Sequence, residues 1–291
     1  MKPKPAPAQH HDALLRCLVE GLRRVDPPVA ERLQAAPDSF VRTSWTYAFY
    51  KTYRDIAIDL PGIAQLIAQP APTTTDVREA NAFATRVRRA AYLAIDAVPF
   101  LASRLANADM RVTLRDVQRY VTNDNGIADT VRADLEEKLI AAHTAGRPVL
   151  LIGHSLGSVI AWDALWGLSR ERQHPLQVDV LMTLGSPLGN RVIQRGIKGR
   201  SETGVARYPD NIRRWVNCVA IGELTALDRR MRRDYAEMLD AGLVSSIEDY
   251  DVINHYRENG RLLVHSEYGY LVNETTAGLI ADWWRQHDAP A

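Results

Sequence analysis

The run Val149-Leu150-Leu151-Ile152 leads into Gly153-His154-Ser155-Leu156-Gly157 and then into Ser158-Val159-Ile160-Ala161-Trp162-Asp163, whose apolar residues fall at helical spacing. An apolar stretch, a Gly-x-Ser-x-Gly turn and a helix in that order predict a buried strand turning sharply into a helix, with a serine on the turn. Glycines two residues either side of that serine let strand and helix pack closely there. A bare Gly-x-Ser-x-Gly arises often by chance, and it gains meaning here from the strand and helix patterns on both sides. A serine held on such a turn projects its hydroxyl clear of the backbone. Ser155 is therefore the candidate nucleophile, and the N–H of Leu156, the next residue, a candidate oxyanion donor.

The rest of the chain sets this turn in an α/β framework. Residues Asp12 to Val25 carry apolar positions at helical spacing and stop at Asp26-Pro27-Pro28, and the aromatic and β-branched run from Phe40 to Tyr50 predicts a strand near 41–49. Gln69-Pro70-Ala71-Pro72 reads as a loop, capped at Thr75 or Asp76, before an alanine-rich helical stretch to about Asn107 that Pro99 ends or kinks. A helix from Asp129 to His143 closes at Gly146. Then come a strand at 148–153, a helix at 156–168, strands at 178–184 and 214–221, and a closing helix near 274–286. Strands alternating with helices predict a mostly parallel sheet with helices on both faces. With 291 residues and 46% hydrophobic content, one domain over 1–291 can bury such a core. Residues 70–110 would then be a helical insertion or lid, with its helices around 76–110.

Charge narrows the partners. Lys plus Arg number 36 against 35 Asp plus Glu, a net charge of +1, so no overall field selects nucleic acid or an anionic membrane. No nucleic acid is expected as a partner, and charge announces no other. Cys17 and Cys218 stand far apart in apolar contexts without metal-ligand spacing, which predicts two buried thiols in a reducing compartment. The residues from Met1 to Pro7 lack the apolar core of a signal peptide, and no segment approaches the roughly 20 apolar residues of a membrane span. A cytoplasmic protein without a transmembrane segment is expected, and the chemistry calls for no metal or organic cofactor.

A serine nucleophile needs a base, and the base an orienting carboxylate; in hydrolases built on this elbow the chain order is serine, acid, histidine. Catalytic groups in open parallel sheets gather past the carboxyl ends of strands. The strand Trp215 to Ile221 runs into Gly222-Glu223-Leu224-Thr225-Ala226-Leu227-Asp228, so Glu223 is the first candidate acid and Asp228 the alternative. Among the histidines that follow, His265 ends the strand-like run Leu262-Leu263-Val264, and His255 in Ile253-Asn254-His255 is the alternative base. His154 lies beside the nucleophile and points elsewhere, His174 precedes the acid, and His287 lies beyond the last strong pattern.

The elbow, the strand end Thr183-Leu184-Gly185-Ser186-Pro187-Leu188-Gly189, the Trp215-Val216-Asn217 strand and the segment His265-Ser266-Glu267-Tyr268 resemble the α/β-hydrolase superfamily, and within it lipase-like bacterial serine hydrolases. The resemblance covers about residues 110–290 and extends loosely to the helix at 12–25 and the strand near 41–49. It implies Ser155 as nucleophile, Glu223 as acid and His265 as base, in a serine hydrolase that cleaves a lipid-like or short acyl ester through an acyl-enzyme. Alternatives on the same fold are a catalytically impaired binding or scaffold module, or an acyltransferase or amidase with the same triad. Two departures stand out. The family's acid usually lies in an Asp-Pro-Val-Ala-like run, where this chain has Glu223-Leu224-Thr225-Ala226, which keeps Asp228 in play. Relatives also open with an apolar strand running into His-Gly, whose loop supplies a second oxyanion donor, whereas here Lys2 to His11 includes three prolines, which lack an N–H. The sheet is thus expected to lack its first strand or strands, with Gln9 or His10 supplying the second donor from a shortened loop, or with the hole incomplete.

Three further features have plainer readings. Arg229-Arg230-Met231-Arg232-Arg233, with acids around it, reads as a solvated helix face. Ala90 to Ala102 reads as a packed helix or a lid, and Ser186 as a turn serine at a strand end.

Overall fold

The computed structural model describes residues 3–82, 108–223 and 230–287, with the side chains of 108–114 left aside. Asp228, Arg229, Pro99, the run Ala90 to Ala102 and most of the expected 76–110 insertion lie outside the described residues. The described residues form two compact units: one from residues 108–219 and 230–249, the other from residues 3–82, 220–223 and 250–287.

The protein is α/β. Strands β1 (Leu150–His154), β2 (Val178–Leu184), β3 (Ile212–Ala220) and β4 (Ser246–Val252) form a parallel sheet in the order β1-β2-β3-β4. The register pairs Leu150 with Val180 and His154 with Leu184, then Val178 with Ile212 and Leu184 with Cys218. Strands of a parallel sheet covered on both faces read as continuous apolar runs, and β2, Val-Asp-Val-Leu-Met-Thr-Leu, is buried at every position except Asp179. The terminal strand β1 is half-buried along most of its length.

The first unit is built around the helix Leu156–Trp166, in which every residue but Gly157 is buried. A helix apolar all round must be covered all round. The helix Ile127–Thr144 packs against it, and so does β1. Its Trp162 is 1% exposed and lies 5.6 Å from the Trp215 ring and 5.0 Å from that of Tyr235. These aromatics dominate the core, where truncating one to alanine costs about 3–5 kcal/mol.

The second unit is mainly helical, with Pro7–Val25 packed against Pro27–Ala35, Glu267–Val272 and Glu274–His287. The helix pair Pro7–Val25 and Glu267–Val272 approaches so closely that a Cβ on Gly21 would sit 2.2 Å from the Leu271 carbonyl oxygen. Pro7 opens its helix where a missing N–H costs nothing. Asp26 then ends that helix and caps the next by accepting from Val29 N–H at 3.1 Å.

The strand expected near 41–49 does not form. Residues 41–45 are irregular and Thr46–Tyr50 is a short helix, closed by Lys51 in the left-handed region. The aromatic residues that suggested a strand meet at helical spacing, with Trp45 and Phe49 edge to face at 5.4 Å. Among the described residues no strand precedes Leu150. None of their helices is long and apolar enough to cross a membrane.

Candidate active site

Ser155 has φ 54° and ψ −129°, a conformation that residues with a Cβ rarely adopt. Such strain costs about 1–3 kcal/mol and persists only where the surroundings enforce it. Here they do. Ser155 N–H donates to the Leu184 carbonyl at 3.0 Å, extending the β1 to β2 pairing through the turn. The Ser155 carbonyl accepts from Ser158 N–H at 3.0 Å and from the Ser158 hydroxyl at 2.6 Å. The Ser158 hydroxyl also lies 2.7 Å from that of Ser186, which accepts from Leu188 N–H at 3.2 Å. Ser158 and Ser186 are fully buried. Ser186, at a strand end as expected, is thus a clamp on the elbow. Gly153 has the role anticipated from sequence: a Cβ there would stand 2.7 Å from the Ser158 Cα.

Ser155 occupies the N-cap position of the helix Leu156–Trp166, yet its side chain makes no capping bond to that helix. The first four N–H groups of a helix have no partner within it and form its positive end. Leu156 N–H is the first of them, which suits it to hold a developing oxyanion.

Farther along this helix, Asp163 is 2% exposed. One carboxylate oxygen accepts from Lys198 N–H at 2.7 Å and the other from the Tyr120 hydroxyl at 2.8 Å. Burial pushes its pKa up to about 6, against the lowering pull of those bonds. A second polar line crosses the sheet: Thr183 donates to Asn217 at 2.9 Å, and Asn217 donates to Asp249 at 2.9 Å. Asp249 in turn accepts from the N–H groups of Met231 and Arg232.

The candidate acid and base both belong to the second unit. Glu223 follows Gly222, which has φ 88°, and its N–H closes a turn onto the Ala220 carbonyl at 3.0 Å. Its side chain is 2% exposed, and Oε2 lies 2.6 Å from His265 Nδ1. An imidazole nitrogen facing a buried carboxylate carries the proton, so Nε2 is left as the basic nitrogen of the neutral ring. The His265 ring is 32% exposed.

The backbone on both sides of His265 is pinned. Leu263 N–H donates to the Tyr256 carbonyl at 2.9 Å, and the Ser266 carbonyl accepts from Asn254 Nδ2 at 2.7 Å. Beyond it, Glu267 accepts from the Lys4 ammonium and contacts His10 Nε2 at 3.1 Å, while the Tyr268 hydroxyl donates to Asp59 at 3.1 Å. Burial holds the His10 pKa below its ordinary value and raises that of Asp59.

His255, the alternative base, is buried, with Nε2 3.4 Å from the Gln69 carbonyl and Nδ1 without a hydrogen-bond partner among the described residues. Burial lowers its pKa. The shortened loop expected at Gln9 and His10 is not a loop. Both lie within the helix Pro7–Val25, and His10 N–H is spent on the Ala6 carbonyl at 2.9 Å. Cys17 and Cys218 are buried thiols, neither of them in a disulfide. Burial pushes the Cys17 thiol up to about 12, which leaves it inert as a nucleophile. No group of three His, Cys, Asp or Glu among the described residues could hold a metal ion.

Compared with family models, curated proteins and solved structures, the chain has no match. Its class therefore rests on its own architecture: an α/β protein whose parallel sheet leads, through a strained serine turn, into a buried helix.

Proposed function

We propose that this chain is a serine hydrolase of the α/β-hydrolase type that cleaves esters through an acyl-enzyme on Ser155. The observation that carries the reading is the backbone of Ser155. A serine, and not a glycine, occupies a positive-φ position between a parallel strand and a helix, enforced by five hydrogen bonds and left out of helix capping. Strain of this kind is kept where it serves chemistry. The His265–Glu223 pair supports the reading, because a buried carboxylate on Nδ1 fixes the tautomer that a general base needs.

The reaction follows from these groups. Ser155 Oγ attacks the ester carbonyl while His265 Nε2 takes its proton, and Glu223 stabilises the imidazolium that forms. Leu156 N–H holds the oxyanion. Collapse breaks the bond to the alcohol, which leaves with the proton from His265. A water activated by the same nitrogen then attacks the acyl-enzyme and releases the acid. The substrate proposed is a short acyl or lipid-like ester.

A panel of nitrophenyl esters of increasing chain length tests the activity, with Ser155→Ala as control. Turnover that disappears in the folded variant supports the proposal. A wild-type protein inert to every ester, and unreactive towards a fluorophosphonate, would instead favour a binding module on the same fold.

A further inference from the structure

A concavity lies in the first unit, in the segment between β2 and β3. It is a hollow of about 470 Å³ lined by Arg191, Gln194, Arg195, Arg200, Ser201 and Arg207. Four arginines, a glutamine and a serine line it, and no carboxylate does.

Arginines in this unit ordinarily find acids. Arg170 pairs with Asp210, Arg172 with Glu136, Arg132 with Asp129 and Arg214 with Glu248. Among the described residues no carboxylate lies within 4 Å of Arg191, Arg195, Arg200 or Arg207. Neutral groups place them instead. Arg200 donates to the Arg195 carbonyl at 2.8 Å, and the Arg207 guanidinium stands 5.6 Å over the Tyr208 ring. The walls are fixed as well, with Gln194 donating to the Leu188 carbonyl at 3.1 Å and Trp166 Nε1 to the Ala206 carbonyl at 3.0 Å. In a chain whose net charge is +1, four arginines around one hollow, with no described carboxylate beside them, are a local field and not a general basic character.

We infer that this hollow is a binding site for a phosphate-bearing small molecule. A single carboxylate would leave most of the four charges uncompensated. A phosphoryl group carries up to two negative charges and several acceptor oxygens, which match guanidinium forks two bonds at a time. The volume lies within the range of small-molecule sites, with room for part of whatever carries the phosphate. The inference does not depend on the chemistry proposed at Ser155.

The test is calorimetric titration of the full-length protein with inorganic pyrophosphate, at fixed low salt. The expected result is saturable binding, weakened roughly tenfold by Arg195→Gln or Arg200→Gln and abolished by the two together. Because these side chains are exposed, the variants should fold, and unchanged thermal unfolding would verify it. A control with exposed arginines changed elsewhere, Arg23→Gln and Arg261→Gln, should bind as the wild type does. Vesicles of phosphatidylcholine with and without phosphatidic acid separate the sources of the phosphate. Sedimentation with the phosphatidic acid vesicles, competed by pyrophosphate, identifies a lipid headgroup, and its absence beside pyrophosphate binding identifies a soluble phosphate compound. No binding of pyrophosphate at millimolar concentration, or binding equally weakened by the control substitutions, would overturn the inference.

Discussion

His265 Nδ1 lies 2.6 Å from Oε2 of Glu223, whose side chain is 2% exposed. The two residues are 42 positions apart, and one is deeply buried while the other is partly open to solvent. In the proposed reaction this pair has one task, to hold the imidazole with its basic nitrogen available and to stabilise the positive charge it acquires.

Removing the carboxylate charge while keeping its shape isolates that task. Glu223→Gln should lower kcat on a nitrophenyl ester by about 10⁴-fold, as loss of the orienting acid does in comparable triads, with KM little changed. Steady-state kinetics on the purified variant measures it, and a loss below tenfold would show that Glu223 is not the orienting acid. Asp228→Asn should leave kcat close to that of the wild type.

The two candidate bases should separate in kinetics and stability. His265→Ala should reduce kcat by several orders of magnitude, since a residue of such a unit costs nearly as much as the whole unit. The buried Glu223 carboxylate loses a partner in that variant, so its unfolding midpoint should fall as well, whereas His265→Gln, which keeps a donor there, should lose the same activity with a midpoint nearer the wild-type value. His255→Ala should do the reverse, lowering stability by about 1–2 kcal/mol through a lost buried ring while the kcat of the folded protein stays within a few-fold. Exchanged behaviour of the two variants would reassign the base.

The elbow clamp is testable apart from the nucleophile. Ser158→Ala removes a hydrogen bond to the Ser155 carbonyl and leaves the buried Ser186 hydroxyl without that partner, at a cost of about 1–3 kcal/mol. The account predicts a lower unfolding midpoint and slower fluorophosphonate labelling at an unchanged labelling stoichiometry. Labelling at the wild-type rate would mean that the strained turn holds without its clamp.

Asp163 gives the protein a pH dependence of defined sign. Its folded pKa of about 6 lies above the unfolded value of 3.8, so between those limits the native state binds more protons than the unfolded one. Stability contributed by this group is complete below pH 4 and falls as pH rises through 6, by roughly 3 kcal/mol in all. Asp163→Asn should remove that fall. Urea unfolding at pH 4.5 and pH 7 should show the variant gaining on the wild type at the higher pH, and a constant gap between the two would contradict the assignment.

What the sequence disclosed and what it hid divide along a physical line. The strands expected at 148–153, 178–184 and 214–221, which form at 150–154, 178–184 and 212–220, and the helix from Leu156 were legible because an apolar run or a 3.6-residue period is a local pattern. Glu223 and His265 were legible as candidates by their position after strand-like runs, although nothing local joins residues 42 apart. The segment near 41–49 misled because aromatic and β-branched residues favour strands on average, while here Trp45 and Phe49 meet across one helical turn. The proline-rich start hid a helix: Pro7 reads as a breaker, but at the first turn it is an initiator. The Ser158–Ser186 clamp and the hold of Asp163 on Lys198 and Tyr120 are long-range pairings, for which the only local hint was an acid alone in an apolar helix.

The central claim is that Ser155 is an activated nucleophile, and covalent labelling tests it most directly. A fluorophosphonate probe on the intact protein, read by mass spectrometry of the digested product, should modify Ser155 at one equivalent per chain. Labelling should vanish in Ser155→Ala and be strongly slowed in His265→Ala, with both variants folded. No modification of the wild-type protein, or modification at another serine that persists in Ser155→Ala, would contradict the account.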